Sequence, residues 1–181
     1  MTGRGKHATA DERRQRRAEV DDPAVVMEAA AAFLAVRPRS IEETRRRLRY
    51  LGYRHVLVDQ VVERLAEMGY LDDEAFARAW IESRDRARPR GQSALRRELA
   101  LKGVPREVIA DVLTDRHQEA AAAGAEADLD AALRLLQRRR AALEREPDLR
   151  RRRQKAYALL ARNGFDPGTC QEAARQVALD G

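Results

Sequence analysis

The chain of 181 residues is poor in the residue types that disulfide-rich, metal-binding and membrane proteins require. Its one cysteine, Cys170, cannot form an internal disulfide, which is consistent with a reducing cytoplasm. The three histidines are scattered without ligand spacing, so no metal site is indicated. No apolar stretch is long enough to cross a bilayer, and the polar start lacks the apolar segment of a secretory leader. We therefore expect a cytoplasmic protein without membrane contact.

Proline (6), glycine (10) and aromatic residues (4%) are also few, whereas charged residues make up 36% of the chain. This composition favours helices over sheets. No segment shows the two-residue alternation of a half-buried strand. The sequence therefore predicts an all-α fold with a thin core of leucine, valine and alanine.

Motifs of catalysis and cofactor binding are missing as well, since no phosphate-binding loop and no nucleophile elbow occurs. Asp72 and Asp73 resemble a catalytic carboxylate pair, but their position at a predicted helix start is typical of capping. Cys170 has no activating base near it in the sequence and falls at a core position, which is typical of a structural thiol. We expect no enzymatic activity, no cofactor and no small-molecule substrate.

Internal repetition is the most informative feature of the sequence. Gly52 and Gly103 lie 51 positions apart, and each follows a leucine by four residues and precedes an apolar residue. A fainter third copy is anchored on Gly164. The apolar positions that follow in the three copies are Val58, Val61 and Val62, then Ile109, Val112 and Leu113, and finally Cys170, Ala173 and Ala174.

Local signals define the helices of the repeat. Ser40 and Glu43 form a capping box at the start of the middle helix, and Gly52 suits a left-handed turn at its end. The aromatic residues that follow a glycine are expected to close back on the preceding helical turn; they are Tyr53, Tyr70 and Phe165. Leading helices are predicted over Pro23–Val36, Asp72–Ala87 and Arg116–Leu143. Phe76 and Trp80, one turn apart on the second of these, fit core positions better than partner anchors.

We predict three tandem three-helix repeats that form an elongated, curved array. Residues 1–21 are expected to be a disordered tail of mixed charge. The repeats are assigned to residues 22–70, 71–115 and 116–181, and the last is degenerate, with a long first helix.

Positive charge recurs on the middle helix of each repeat, in a chain whose net charge is +6 and whose pI is about 10.1. A GC-rich genome explains an arginine excess without function, whereas a recurring basic face suits phosphates or acidic side chains. The candidate partner-binding residues are Arg45, Arg46, Arg49, Arg84, Arg86, Arg88, Arg90, Arg96, Arg97, Lys102, Arg150, Arg151, Arg152 and Lys155.

The segment Gly69–Ile109 strongly resembles the RecX family of RecA regulators. The residues that carry this resemblance are Leu71-Asp72-Asp73, Ala77 to Trp80, the arginine-rich turn ending in Gly91, and Glu98-Leu99 with Lys102-Gly103. The flanking copies match the family's three-repeat plan from about Pro23 to Val177. The resemblance implies a modular helical fold that binds the RecA recombinase filament on DNA. It also implies inhibition of ATP hydrolysis, strand exchange and co-protease activity, with direct DNA contact through the basic face as a further expectation.

A stand-alone helix-turn-helix DNA-binding protein is the alternative interpretation. Its recognition helices would be Arg54–Met68 and Pro105–Thr114. Both carry acidic residues on their polar faces, which is unfavourable in a phosphate-lined groove.

Overall fold

The computed structural model describes residues 9–176, and every regular element in this range is an α-helix. The all-α prediction is therefore confirmed. The helices are α1 (Ala10–Ala18), α2 (Pro23–Leu34), α3 (Ile41–Leu51), α4 (His55–Glu67), α5 (Asp73–Ala87), α6 (Gln92–Leu101), α7 (Arg106–Ala122), α8 (Ala127–Arg138), α9 (Arg140–Glu144), α10 (Leu149–Arg162) and α11 (Pro167–Gln176).

The chain divides between Phe76 and Ala77 into two compact bodies, and the division falls within α5. In the N-terminal body, α2 packs against α3 and α4, and α3 packs against α4. The core of this body is a single apolar cluster in which the predicted positions of the first repeat are buried. Its largest fully buried apolar side chains are Leu48, Val26, Val58 and Val62.

The C-terminal body contains a second cluster where α8, α10 and α11 meet. Its core is built largely from small side chains, and Cys170, Ala173 and Ala174 are buried as predicted. Burial raises the pKa of the Cys170 thiol, and the nearby charge of Asp166 adds to the shift, which disfavours the nucleophilic thiolate form. The corresponding positions of the second repeat, Ile109, Val112 and Leu113, are also buried.

The ends of α3 form as the local sequence predicts. The Ser40 hydroxyl accepts a hydrogen bond from the Glu43 backbone at 3.0 Å, and the Glu43 carboxylate accepts one from the Ser40 backbone at 3.4 Å. Gly52 ends the helix with a φ of 105°, and Tyr53 is buried behind it. Tyr70 does not close back on the preceding helical turn as predicted, because its side chain is 70% exposed. Leu71, one position further on, fills that place and is 2% exposed.

Asp72 and Asp73 act as capping groups rather than as a catalytic pair. Asp72 Oδ1 accepts hydrogen bonds from the backbone of Glu74 and Ala75 at the start of α5. The buried Asp73 accepts one from the backbone N–H of Ile41 at 2.9 Å, at the start of α3. A carboxylate of one leading helix thus caps the middle helix that precedes it in the chain.

The same arrangement recurs in the C-terminal body. Asp128, near the start of α8, accepts a hydrogen bond from the backbone N–H of Gln92 at 3.0 Å, at the start of α6. The turn after α10 approaches the same helix start, because the backbone N–H of Ser93 donates to the Gly164 carbonyl at 3.3 Å. A Cβ atom on Gly91 would lie 2.3 Å from that carbonyl oxygen. Only glycine therefore allows this approach.

The predicted disordered tail is wrong for residues 10–18, which form α1, while residues 1–8 lie outside the described part of the chain. Thr9 and Glu12 form a capping box that starts the helix. Two arginines then donate to the end of α3: Arg14 Nε to the Tyr50 carbonyl at 3.1 Å and Arg17 Nη1 to the Leu51 carbonyl at 3.3 Å. The unpaired carbonyls and negative end of a helix favour such contacts.

The predicted leading helix over Arg116–Leu143 is also wrong, because the chain is helical through Ala122 and then breaks. Gly124 adopts a φ of 71°, and the backbone N–H of Ala125 donates to the Ala120 carbonyl at 2.9 Å. Gly124 in this left-handed conformation therefore ends α7. The boundary predicted between residues 115 and 116 therefore falls inside α7, and the leading helix of the third repeat is α8, followed by the short α9.

Replacing Gly52 with alanine is expected to cost more stability than replacing Gly69. Both residues have positive φ, so each alanine bears about 1 kcal/mol of left-handed strain. At Gly52 the new Cβ would also lie 2.8 Å from the Arg14 carbonyl oxygen, whereas nothing lies within 4 Å at Gly69. Urea unfolding of both variants measures the difference. Deleting residues 1–19, which removes α1, should abolish the difference in stability between the two variants. Equal losses of stability in the full chain would show that α1 does not pack on Gly52.

Asp73 is expected to make stability depend on pH. Burial raises the pKa of Asp73 above its ordinary 3.8, and the negative charges of Asp72 and Glu42 act in the same direction. The hydrogen bond from Ile41 and the positive charge of Arg45 oppose the shift, but the net pKa is raised. Because the folded pKa is the higher one, ionised Asp73 lowers the free energy of unfolding at neutral pH. This cost fades as the pH falls through the raised pKa and is gone below 3.8.

D73N keeps an acceptor for the Ile41 N–H but removes the charge, so it should be more stable than the wild type at neutral pH. This difference in unfolding free energy should decrease as the pH is lowered to 3.8. D73A loses the acceptor and should be about 1 kcal/mol less stable than D73N. Urea unfolding across this pH range tests both points. Parallel curves for the wild type and D73N would contradict the assignment.

Candidate partner-binding surface

The arginines of α3 are paired with carboxylates of their own body. Arg45 and Arg49 contact Asp59 at 3.1 and 2.9 Å, and Arg45 and Arg46 contact Glu42 at 2.8 and 3.4 Å. The hydrogen bond with Glu42 is the largest influence that raises the pKa of Arg45. Glu42 and Asp59 are thus paired with all three candidate arginines of α3.

Two of the candidate residues around α5 and α6, Arg84 and Arg90, converge on Glu98. Arg84 Nε lies 2.6 Å from its carboxylate, Arg90 Nε lies 3.4 Å away, and the Trp80 indole N–H donates to it at 3.0 Å. The half-buried Trp80 ring also contacts Arg84 and Lys102, whose charged groups lie 4.3 and 4.6 Å from the ring centre. Arg84, Arg90 and Lys102 therefore have structural partners, and the Trp80 ring contacts two of them, Arg84 and Lys102.

Other candidates nearby are not held in this way. Arg86 pairs with Glu82 on α5. Arg88 in the α5–α6 loop and Arg96 and Arg97 on α6 are exposed, and none of these three side chains has a hydrogen-bond, ion-pair or ring partner in residues 9–176.

The α10 candidates divide similarly. Lys155 Nζ lies 2.6 Å from the Glu146 carboxylate, and Arg152 Nε donates to the Glu146 carbonyl at 3.0 Å. Arg150 and Arg151 are exposed, and their side chains make no hydrogen bond, ion pair or ring contact within the part of the chain that the structure describes. We therefore define the free set as Arg88, Arg96, Arg97, Arg150 and Arg151, all in the C-terminal body.

A buried arginine that sequence reasoning missed organises this body. Arg116 on α7 is bidentate to Asp85 on α5, with N–O distances of 2.9 and 3.1 Å, and contacts Asp128 on α8 at 2.6 Å. Its side chain is only 9% exposed. Burial opposes its charge, yet the hydrogen bonds to Asp85 and Asp128 hold the pKa of Arg116 above its ordinary value. Arg116 therefore links three helices through ionic hydrogen bonds.

The described residues contain neither a metal-binding cluster nor a membrane span. No set of three or more His, Cys, Asp or Glu side chains in residues 9–176 is arranged to hold a metal ion. None of the described helices combines the length and apolarity that a bilayer span needs.

Comparisons with known proteins agree with this architecture. The family model described as "RecX, second three-helix domain" matches residues 72–113, and the one described as "RecX, third three-helix domain" matches residues 126–174. A protein named regulatory protein RecX from Prosthecochloris aestuarii is 33% identical over 160 residues, which cover 86% of this chain and 95% of the relative. The chain belongs to the RecX family. The third-domain match begins at residue 126, next to α8, in agreement with the corrected helix assignment.

Further RecX relatives support the assignment. Regulatory protein RecX from Mycobacterium sp. strain JLS is 40% identical over 135 residues, covering 74% of this chain and 70% of the relative. The crystal structure of RecX from Lactobacillus salivarius has a TM-score of 0.73 at 16% identity, covering 88% of this chain and 98% of that one. A second structure, of regulatory protein RecX, has a TM-score of 0.69 at 19% identity, covering 99% of this chain and 82% of that one. These structures show a shared fold.

Removing the Arg116 side-chain charge is expected to be strongly destabilising. R116M leaves the Asp85 and Asp128 carboxylates without their counter-ion, which should cost about 3 kcal/mol of unfolding free energy. The triple variant R116M/D85N/D128N removes the uncompensated charge and should recover part of this loss. Urea unfolding of the two variants provides the measurement. A cost below about 1 kcal/mol for R116M would mean that the ion pairs do not order the body.

Proposed function

We propose that this chain binds the RecA recombinase filament on DNA and inhibits its ATP hydrolysis, strand exchange and co-protease activities. Membership of the RecX family, whose relatives carry the name regulatory protein RecX, is the observation that carries the proposal. The hydrogen bonds of Asp72 and Asp73 to helix starts give these two carboxylates a structural role.

The free arginines suggest how the C-terminal body contacts the filament. Arg88, Arg96 and Arg97 come from the loop before α6 and from α6 itself, and their guanidinium groups are available for carboxylates of the recombinase. The helix that presents them is fixed at its start by Asp128 and by the Gly164 carbonyl. A rigid surface of this kind pays little ordering entropy on binding.

Inhibition follows if the bound protein favours one arrangement of neighbouring recombinase subunits. A ligand shifts a conformational equilibrium only by its difference in affinity between the two states. A body held by buried ion pairs and glycine contacts cannot follow the subunits as they move. It therefore stabilises the arrangement that it fits and slows the ATP cycle.

A stand-alone helix-turn-helix DNA-binding function receives no support from the polar faces of its recognition helices. The exposed side of α4 carries Asp59, Glu63 and Glu67, and that of α7 carries Glu107 and Asp111. Such faces are repelled by phosphates.

Removing the free arginines around α6 should weaken inhibition. R88A/R96A/R97A loses three candidate contacts, and we expect its half-inhibitory concentration in DNA-dependent ATP hydrolysis to rise about tenfold, equivalent to ~1.4 kcal/mol. Titrations at low and moderate salt provide the measurement, because exposed ionic contacts weaken as salt rises.

The matched control is R106A/R134A/R162A, which removes three other exposed arginines without side-chain partners in the described range. It should inhibit like the wild type. Unchanged inhibition by R88A/R96A/R97A would show that this surface is not the contact, and no inhibition by the wild type would overturn the proposed function itself.

A further inference from the structure

The excess positive charge of the chain is concentrated in one segment. Residues 138–155, from the end of α8 to the first half of α10, contain nine arginine and lysine side chains and three acidic ones. The resulting net charge of +6 equals the formal net charge of all 181 residues. The remaining chain is therefore balanced between positive and negative side chains, and a uniform genomic bias toward arginine does not produce this distribution.

All three acidic side chains of the segment already have partners. Glu144 lies 2.6 Å from Arg140 Nε, and Glu146 lies 2.6 Å from Lys155 Nζ. Asp148 is the N-cap of α10 and accepts a hydrogen bond from the backbone N–H of Arg151 at 2.8 Å. The segment has no further carboxylate for its other arginines.

Five arginine side chains of the segment make no hydrogen bond, ion pair or ring contact with the described residues. Arg138 and Arg152 donate to backbone carbonyls, which leaves the others exposed and without a hydrogen-bond, ion-pair or ring partner in residues 9–176. We call these five residues the α9–α10 patch: Arg139, Arg145, Arg150, Arg151 and Arg153.

The position of these charges is unfavourable for the isolated protein. The first turn of α10 contains no acidic residue and begins a run of four arginines. Positive side chains near the positive end of a helix dipole are destabilising. Arg150 and Arg153, three positions apart on α10, lie on the same side of the helix, so their like charges repel each other. A bound polyanion relieves both effects, so the patch is best explained by an anionic partner.

The other side chains of the segment indicate which polyanion it is. Its only exposed large apolar side chain among the described residues is Leu149, at 52%, whereas a protein interface needs an apolar centre. The segment contains no aromatic residue, so it cannot stack on bases. Several guanidinium groups in one short segment without either feature suit phosphate oxygens along a nucleic-acid backbone.

We propose that the α9–α10 patch binds the phosphodiester backbone of DNA without reading its base sequence. This inference deepens the proposed function, on which it rests for the place where the protein meets DNA. It assigns DNA contact to α9 and α10 and recombinase contact to the free arginines around α6, so the two contacts are separable by mutation.

The test is fluorescence anisotropy with a labelled poly(dT) strand and a labelled mixed-sequence duplex, without recombinase, over a series of salt concentrations. R150Q/R151Q/R153Q should lose affinity for both DNAs. The slope of log affinity against log salt should fall in magnitude by about 2 for the single strand, since each lost phosphate contact contributes ~0.7. R150K/R151K/R153K keeps the charges and should keep the slope. R88A/R96A/R97A should bind DNA like the wild type.

Circular dichroism and thermal unfolding confirm that the variants fold, which is expected because the three positions are exposed. An unchanged salt slope in the glutamine variant would overturn the inference. So would a wild type that fails to bind DNA at low salt while the glutamine variant loses ATPase inhibition, because the patch would then contact the recombinase. DNA binding that depends on the patch, in a protein that does not inhibit ATP hydrolysis, would support the inference and reject the proposed function alone.

Discussion

The carboxylate of Asp128 is shared between a helix start and a buried guanidinium, and this sharing determines the geometry of the C-terminal body. One oxygen accepts from the Gln92 backbone at 3.0 Å and the other from Arg116 at 2.6 Å. Arg116 in turn is bidentate to Asp85. One chain of ionic hydrogen bonds therefore joins α5, α6, α7 and α8 in a body whose apolar core is rich in alanine. A small-residue core gains less from burial, so polar contacts with strict geometry contribute more to its specificity.

The repeats were predictable because their signals are local. A capping box needs two residues three positions apart, and a left-handed turn needs one glycine, so Ser40, Glu43 and Gly52 could be interpreted from the sequence alone. The buried positions of α4, α7 and α11 were predictable for the same reason. Tyr70 shows the limit of local signals. The closing contact moved by one residue to Leu71, a shift that depends on the tertiary position of the chain after Gly69.

The roles of the arginines were not predictable, because they depend on partners far away in the sequence. Asp59 compensates Arg49 from 10 positions away, and Asp85 contacts Arg116 across 31 positions. Helical periodicity shows only that an arginine lies on a polar face. The sequence therefore predicted a basic face on all three middle helices. The fold pairs the candidate arginines of α3 with carboxylates and leaves free cations on α6 and α10. The break at Gly124 was missed for a related reason, since an alanine-rich run has high helix propensity on both sides of a glycine.

A distinction between paired and unpaired arginines also decides between genomic bias and function. Genomic bias adds arginine whether or not an acidic residue balances its charge. Outside residues 138–155, however, the numbers of positive and negative side chains are equal. Arg116 and Arg84 make short contacts with carboxylates that a lysine cannot make in the same planar geometry. The arginine content is thus largely used in the scaffold. The unmatched charge of α9 and α10 has no such use, and a protein that retains local repulsion there gains from it only when an anion is bound.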